Sequence, residues 1–108
     1  MYFPVSATLI EFLILSIVDK HDSYGYDISQ TIKLVANIRE STLYPILKKL
    51  EKLDYLTTYS QEHQGRKRNY YTITAKGEKQ LIFLKEEWQS YKTTLDGIIE
   101  GRLRHDKS

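Results

Sequence analysis

The chain has 108 residues, 41% hydrophobic and 28% charged, the size and composition of one ordinary globular domain. It has no cysteine, which excludes disulfide scaffolds, thiolate nucleophiles, zinc ribbons and iron–sulfur clusters together. Sixteen Lys and Arg against fourteen Asp and Glu leave a net charge of +2, too mild for histone-like or membrane-surface binding by bulk charge.

After Pro4, the first helix is expected from Val5 to Val18. It is apolar on nearly all sides (Leu9, Phe12, Leu13, Leu15, Ile17), which predicts a central position. Its most apolar stretch, Leu9 to Val18, covers about 15 Å as helix, half a bilayer core. It also lacks the basic leader and small-residue cleavage site of a secretory peptide, so a cytoplasmic protein with no membrane partner is expected. Asp19-Lys20-His21-Asp22 is a polar break, and Ser23 reads as the N-cap of a second helix carrying Tyr24, Ile28, Ile32 and Val35 on one face.

A short turn around Asn37 leads to a third helix. Leu43, Ile46, Leu47, Leu50 and Leu53 form its buried face; Thr42, Pro45, Lys48, Lys49 and Lys52 lie opposite, with Tyr44 at the flank. Pro45 reads as an early position, where a missing amide proton costs least. Two strands rich in Tyr, Thr and Ile follow, Tyr55 to Ser60 and Asn69 to Thr74, joined by a polar loop from Gln61 to Arg68. Charge is concentrated from this loop onward: residues 1–62 carry six basic and eight acidic side chains, residues 63–108 ten and six. Arg66, Lys67 and Arg68 stand consecutively beside Gly65, a candidate phosphate-contacting knot on a turn.

Thr74 is expected to cap a final helix from Ala75 to about Leu103. Leu81, Leu84, Trp88, Tyr91, Leu95 and Ile98 recur in it at alternating spacings of 3 and 4, an a/d seam that wants a second helix to cover it. Self-association as a two-fold dimer is the expected outcome. The chain thus divides into residues 1–74, a DNA-binding unit, and residues 75–108, a dimerisation helix and tail, within one structural unit.

Helix, helix, turn, helix, hairpin, helix is the order of a winged helix-turn-helix, mainly α with a small β-hairpin (α+β) and a long C-terminal dimerisation helix. In that architecture the third helix fits the major groove and the hairpin tip reaches the flanking backbone or minor groove. The expected DNA contacts are Ser41, Thr42, Tyr44, Pro45, Lys48 and Lys49 on the helix, with Gly65, Arg66, Lys67, Arg68 and Tyr70 on the wing; Tyr71 is expected to face the core. Trp88, at mid-seam, is either interface packing or one wall of an intersubunit cavity for flat apolar molecules, with Phe12, Leu15 and Tyr91 as co-liners. No catalytic residue, cofactor or metal is expected. His21, His63 and His105 lie far apart, and no Gly-rich phosphate cradle or Gly-x-Ser-x-Gly elbow is present. The alternative reading is a winged-helix protein-interaction module without DNA-binding activity, which would favour an acidic or apolar third helix and a neutral wing.

Leu43-Tyr44-Pro45, Leu47-Lys48-Lys49-Leu50-Glu51, Gly65-Arg66-Lys67-Arg68-Asn69-Tyr70-Tyr71 and Thr74-Ala75-Lys76-Gly77, with Tyr24-Gly25-Tyr26 before them, resemble the signature of PadR-like transcriptional regulators. The chain is similar to the short group with a single C-terminal dimerisation helix. The resemblance implies a homodimeric repressor on an inverted-repeat double-stranded operator. It also implies a tryptophan on the final helix that receives small hydrophobic or aromatic effectors, as in small regulators of multidrug-transporter genes. Ser41 and Asp54 stand where members usually carry glycine. Asp54 is expected to end the third helix, since Asp tolerates a left-handed backbone better than most residues.

Overall fold

A computed structural model of the chain describes residues 5–106, so Pro4 lies outside the described residues. The elements run α1 (Ala7–Lys20), β1 (Ser23–Tyr24), α2 (Gly25–Ile32), α3 (Glu40–Lys52), β2 (Leu56–His63), β3 (Arg66–Ile73) and α4 (Ala75–Ile99). Four helices and a three-stranded antiparallel sheet of order β1-β3-β2 make a winged helix-turn-helix with a long C-terminal helix.

α1 is central because it is apolar almost all round. Ile10, Ile14, Leu15 and Val18 are buried, with Phe12, Leu13 and Ile17 packed around them. Ser6 caps it, its Oγ accepting from the Leu9 amide at 3.2 Å. The helix continues two residues past Val18, so Asp19-Lys20 forms its last turn and not a break. Ile28 and Ile32 of α2, Ala36 in the turn after it, Leu43, Leu47 and Leu50 of α3, Leu56 of β2 and Leu81 of α4 complete the core.

Ser23 does not cap α2. Its Oγ donates to the His21 carbonyl at 3.0 Å, and its backbone joins β1, where Ser23 pairs with Tyr71 and Tyr24 with Tyr70. Pairing with a strand almost fifty residues away has displaced the local cap, and α2 begins at Gly25 with no side-chain cap. Of the expected stripe only Ile28 and Ile32 are buried in α2; Tyr24 is in the sheet, and Val35 is exposed beyond the helix end. Leu53, placed on the buried face of the third helix by its spacing, is an exposed C-cap.

Pro45 is the sixth residue of α3, a full turn in, so the Ser41 carbonyl has no amide proton to accept from it. The helix ends at Lys52 with Leu53 as its C-cap, and Asp54, the next residue, has a left-handed φ of 65°, as its residue type suggested. The hairpin is longer than its polarity implied. Gln61 to Arg68 is strand except for Gln64 and Gly65, whose φ values of 53° and 78° form a two-residue turn of the kind that matches strand twist. Pairing therefore runs to the tip, Glu62 opposite Lys67 and His63 opposite Arg66. Both faces are solvated there, so no alternation of apolar residues announces the strands.

Thr74 joins hairpin to helix. Its Oγ1 accepts from the Gly77 amide at 2.9 Å and donates to the Asp54 carbonyl at 2.7 Å, while its own amide donates to the Tyr55 carbonyl at 3.0 Å. α4 then runs 25 residues, about 37 Å of helix, in a molecule 67 Å long. It stops at Ile99, short of the expected Leu103. Gly101 takes a φ of 79°, and Leu103 folds back on Gly97, its amide donating to the Gly97 carbonyl at 3.0 Å. No helix among the described residues is long and apolar enough to cross a membrane.

Candidate nucleic-acid interface

A helix advances 100° per residue, so burying Leu43, Leu47 and Leu50 turns Ser41, Pro45, Lys48 and Lys52 outward as one strip of α3. Thr42 and Lys49 flank the strip on one side and Tyr44 on the other, all exposed. The Tyr44 ring lies over Gly25, where a β-carbon would approach it to 3.1 Å; α2 and α3 meet closely there because that residue has no side chain. Lys52 was not among the expected contacts, although its spacing of four from Lys48 places it on the same strip.

The start of α3 is braced against α2. Glu40 accepts from Ser29 Oγ and from Lys33 Nζ, both at 3.2 Å. Backbone amide bonding at the helix start, then the Lys33 ammonium, then Ser29 hold its carboxyl below the ordinary carboxylate range. This exposed clasp ties the start of α3 to α2, beside the core that Ile28 and Ile32 share with Leu43 and Leu47.

On the wing, Gly65, Arg66 and Lys67 are exposed at the tip. Arg68 and Tyr70 follow on the same face of β3 as Arg66, set back from the tip by two and four residues. The register aligns Tyr24, Tyr70 and Tyr59 across the outer sheet face, with ring centroids 5.7 Å apart on either side of Tyr70. Arg68 lies 4.4 Å over the Tyr24 ring, and Tyr59 donates to Asp22 Oδ2 at 2.8 Å. That hydrogen bond, with some burial, raises the Tyr59 hydroxyl above the ordinary phenol range. Tyr71 packs on the core from the opposite face, where burial, then Glu51 and Tyr44, raises its hydroxyl likewise. The alternation of a strand separates Tyr70 from Tyr71, but the tyrosine ladder depends on a register that no local signal carries.

A second feature sits between α1 and α4. Ser6, Thr8, Leu9 and Phe12 face Leu84, Glu87, Trp88 and Tyr91 across an open groove of about 500 Å³. Trp88 is the hinge of its aromatic wall, 6.4 Å from Phe12 and 6.2 Å from Tyr91 between ring centroids. Leu15 is not part of it: that side chain is 1% exposed in the core, on another side of α1. Of the seam, Leu81 is buried and Leu84 half-buried, whereas Trp88, Tyr91, Leu95 and Ile98 remain 37–59% exposed.

The sequence profile of the transcriptional regulator PadR-like family matches residues 14–82. The chain belongs to the PadR-like family. It is similar to smu.1704 from Streptococcus mutans UA159, whose crystal structure superposes with a TM-score of 0.95 at 73% identity, over 98% of this chain and 100% of that one. A PadR family transcription regulator from Clostridium difficile R20291 matches with a TM-score of 0.78 at 31% identity, over 83% and 97% of the two chains. An uncharacterised protein X of Lysinibacillus sphaericus is 37% identical over 97 residues, 85% of this chain and 89% of the relative.

As a PadR-like protein the chain is a DNA-binding transcriptional regulator and not an enzyme. Among the described residues no group of His, Cys, Asp and Glu could hold a metal ion. Of the two positions where this PadR-like chain departs from the usual glycine, Asp54 adopts the left-handed backbone itself, and Ser41 is an ordinary exposed residue of the first turn of α3.

Proposed function

We propose that the chain is a homodimeric repressor that reads an inverted-repeat operator and is released by a small hydrophobic or aromatic effector. Residues 1–74 form the reading unit, and residues 75–108 the dimerisation helix and tail. The observation that carries this reading is the seam: four large apolar side chains on one face of α4 stay uncovered in a single chain, and a second α4 is the natural cover.

In such a dimer the two α3 helices enter successive major grooves, about 34 Å apart on one face of the DNA. Ser41, Thr42, Tyr44, Pro45 and Lys48 meet bases and phosphates, with Lys49 beside them. Gly65, Arg66 and Lys67 bring the wing tip to the flanking backbone, and Arg68 and Tyr70 shape the sheet behind that tip. Occupying promoter DNA is what represses. A guest seated among Phe12, Trp88 and Tyr91 wedges α1 from α4 and changes the separation of the reading heads. Since each head must fit its half-site, a guest that favours one separation changes operator affinity, and operator DNA changes guest affinity by the same factor.

Fluorescence anisotropy with duplex from upstream of this protein's own gene, beside a scrambled duplex of equal composition across a salt series, tests the reading. Tighter binding to the native duplex that survives moderate salt is expected. Failure to bind any duplex would favour the protein-interaction module instead.

A further inference from the structure

Lys49 already has a partner within its own chain. Its Nζ donates to Glu11 Oε2 at 2.7 Å, across 38 positions of sequence. The Glu11 side chain is 17% exposed and that of Lys49 59%, so the carboxylate, seated on α1, is the more buried half of the pair and the lysine the more exposed half. On α3, Lys49 stands about 70° from the centre of the Ser41–Pro45–Lys48–Lys52 strip, on the flank turned to α1. A phosphate that approaches this flank meets a cation neutralised in direct contact, with a carboxylate immediately behind it. Among the described residues neither Lys48 nor Lys52 is in an ion pair, so α3 carries two kinds of lysine, free and engaged.

We propose that Glu11 is an intramolecular competitor of DNA phosphate, withholding Lys49 from the duplex so that the chain binds DNA with one cation per reading head in reserve. The proposal rests on the reading of α3 as the DNA-contacting helix. Lysine–phosphate attraction is independent of base sequence, so a random-sequence duplex is a sufficient probe. A carboxylate that tempers affinity in this way lowers attachment to arbitrary DNA and leaves contacts at base edges untouched. Any movement of α1 that loosens the Glu11 grip would restore the cation.

The test is anisotropy of a labelled random-sequence duplex, about 24 base pairs long, titrated with the full chain and with Glu11→Gln, Lys49→Met and the double variant across a salt series. Glu11→Gln is expected to bind more tightly than the native chain. Its dependence of log affinity on log salt should be steeper by about 0.9 per head, so that its advantage shrinks about 3.5-fold between about 50 and 200 mM salt for each added contact. Lys49→Met alone should leave the native slope unchanged, and in the Glu11→Gln background it should abolish the gain. The single lysine variant separates the proposal from bulk charge, which predicts a shallower slope whenever a lysine is lost.

A native slope in Glu11→Gln overturns the proposal, as does a Lys49→Met variant that loses slope as Lys48→Met does. If the native chain binds duplex and only these differences fail, the α3 reading stands and the competition does not. If the native chain binds no duplex at any salt, both fall. Glu11→Leu gives the same readout should the glutamine variant melt early.

Discussion

Gly77→Ala makes a sharp test of how the wing is joined to the long helix. At an unobstructed helical position alanine is more stable than glycine by about 1 kcal/mol. At position 77, in the first turn of α4, the added methyl would overlap the backbone carbonyl oxygen of Tyr55 and stand 2.8 Å from Ile73 Cγ1. That carbonyl cannot swing away, because it accepts from the Thr74 amide at 3.0 Å. The start of α4 must instead lift from the hairpin by about 1 Å, an overpacking that costs about 1–3 kcal/mol. The same shift strains the Thr74 bonds to Tyr55 and Asp54, each worth about 1 kcal/mol. The net loss is about 2–4 kcal/mol, a fall in Tm of roughly 10–25 °C for a domain of this size.

Thermal unfolding followed by circular dichroism, with chain concentration held equal because association raises Tm, measures it. Gly101→Ala is the comparison. Its added methyl meets nothing within 4 Å, and only its φ of 79° opposes it, at about 1 kcal/mol. A Gly77→Ala chain as stable as the native one, or a Gly101→Ala chain that loses more, would refute the reasoning.

Lys48→Ala should weaken binding to specific and random duplexes alike and flatten the salt slope by about 0.9 per head, as read by anisotropy. Trp88→Ala should shift dimer dissociation by about 30-fold or more in sedimentation equilibrium, and should weaken any aromatic guest of the groove in a fluorescence titration. Pro45→Ala restores an amide donor to the Ser41 carbonyl and should raise stability by at least about 1 kcal/mol in a denaturant titration. Glu40, whose folded pKa is lowered, contributes stability that is present above its unfolded value of about 4.3 and lost as pH falls through the folded value. Stability measured between about pH 6 and 3 should therefore fall less in Glu40→Gln than in the native chain.

Much of the interface was legible because its signals are local. The outward strip of α3 follows from the 3.6-residue period of its leucines, and the Thr74 cap and the left-handed Asp54 follow from side-chain chemistry acting within three or four residues. The wing was legible in composition but not in extent. Gln61 to His63 and Arg66 to Arg68 are polar on both faces, and their pairing continues a backbone ladder that the Gln64-Gly65 turn closes.

The sequence by itself determined the order of the four helices and the β2–β3 hairpin, the Leu43, Leu47 and Leu50 face of the reading helix and the apolar seam of the last helix, since periodicity is a property of consecutive residues; the two-residue strand β1 leaves no such trace. Tertiary structure alone decided that Ser23 joins a strand and caps no helix, that Leu15 belongs to the core and not the groove, and that Tyr24, Tyr70 and Tyr59 stand in one row. It alone brought Glu11 to Lys49. Each of these depends on register or on packing between segments far apart in the chain. Residues tens of positions away exert no influence on local propensity until the chain has closed around its core.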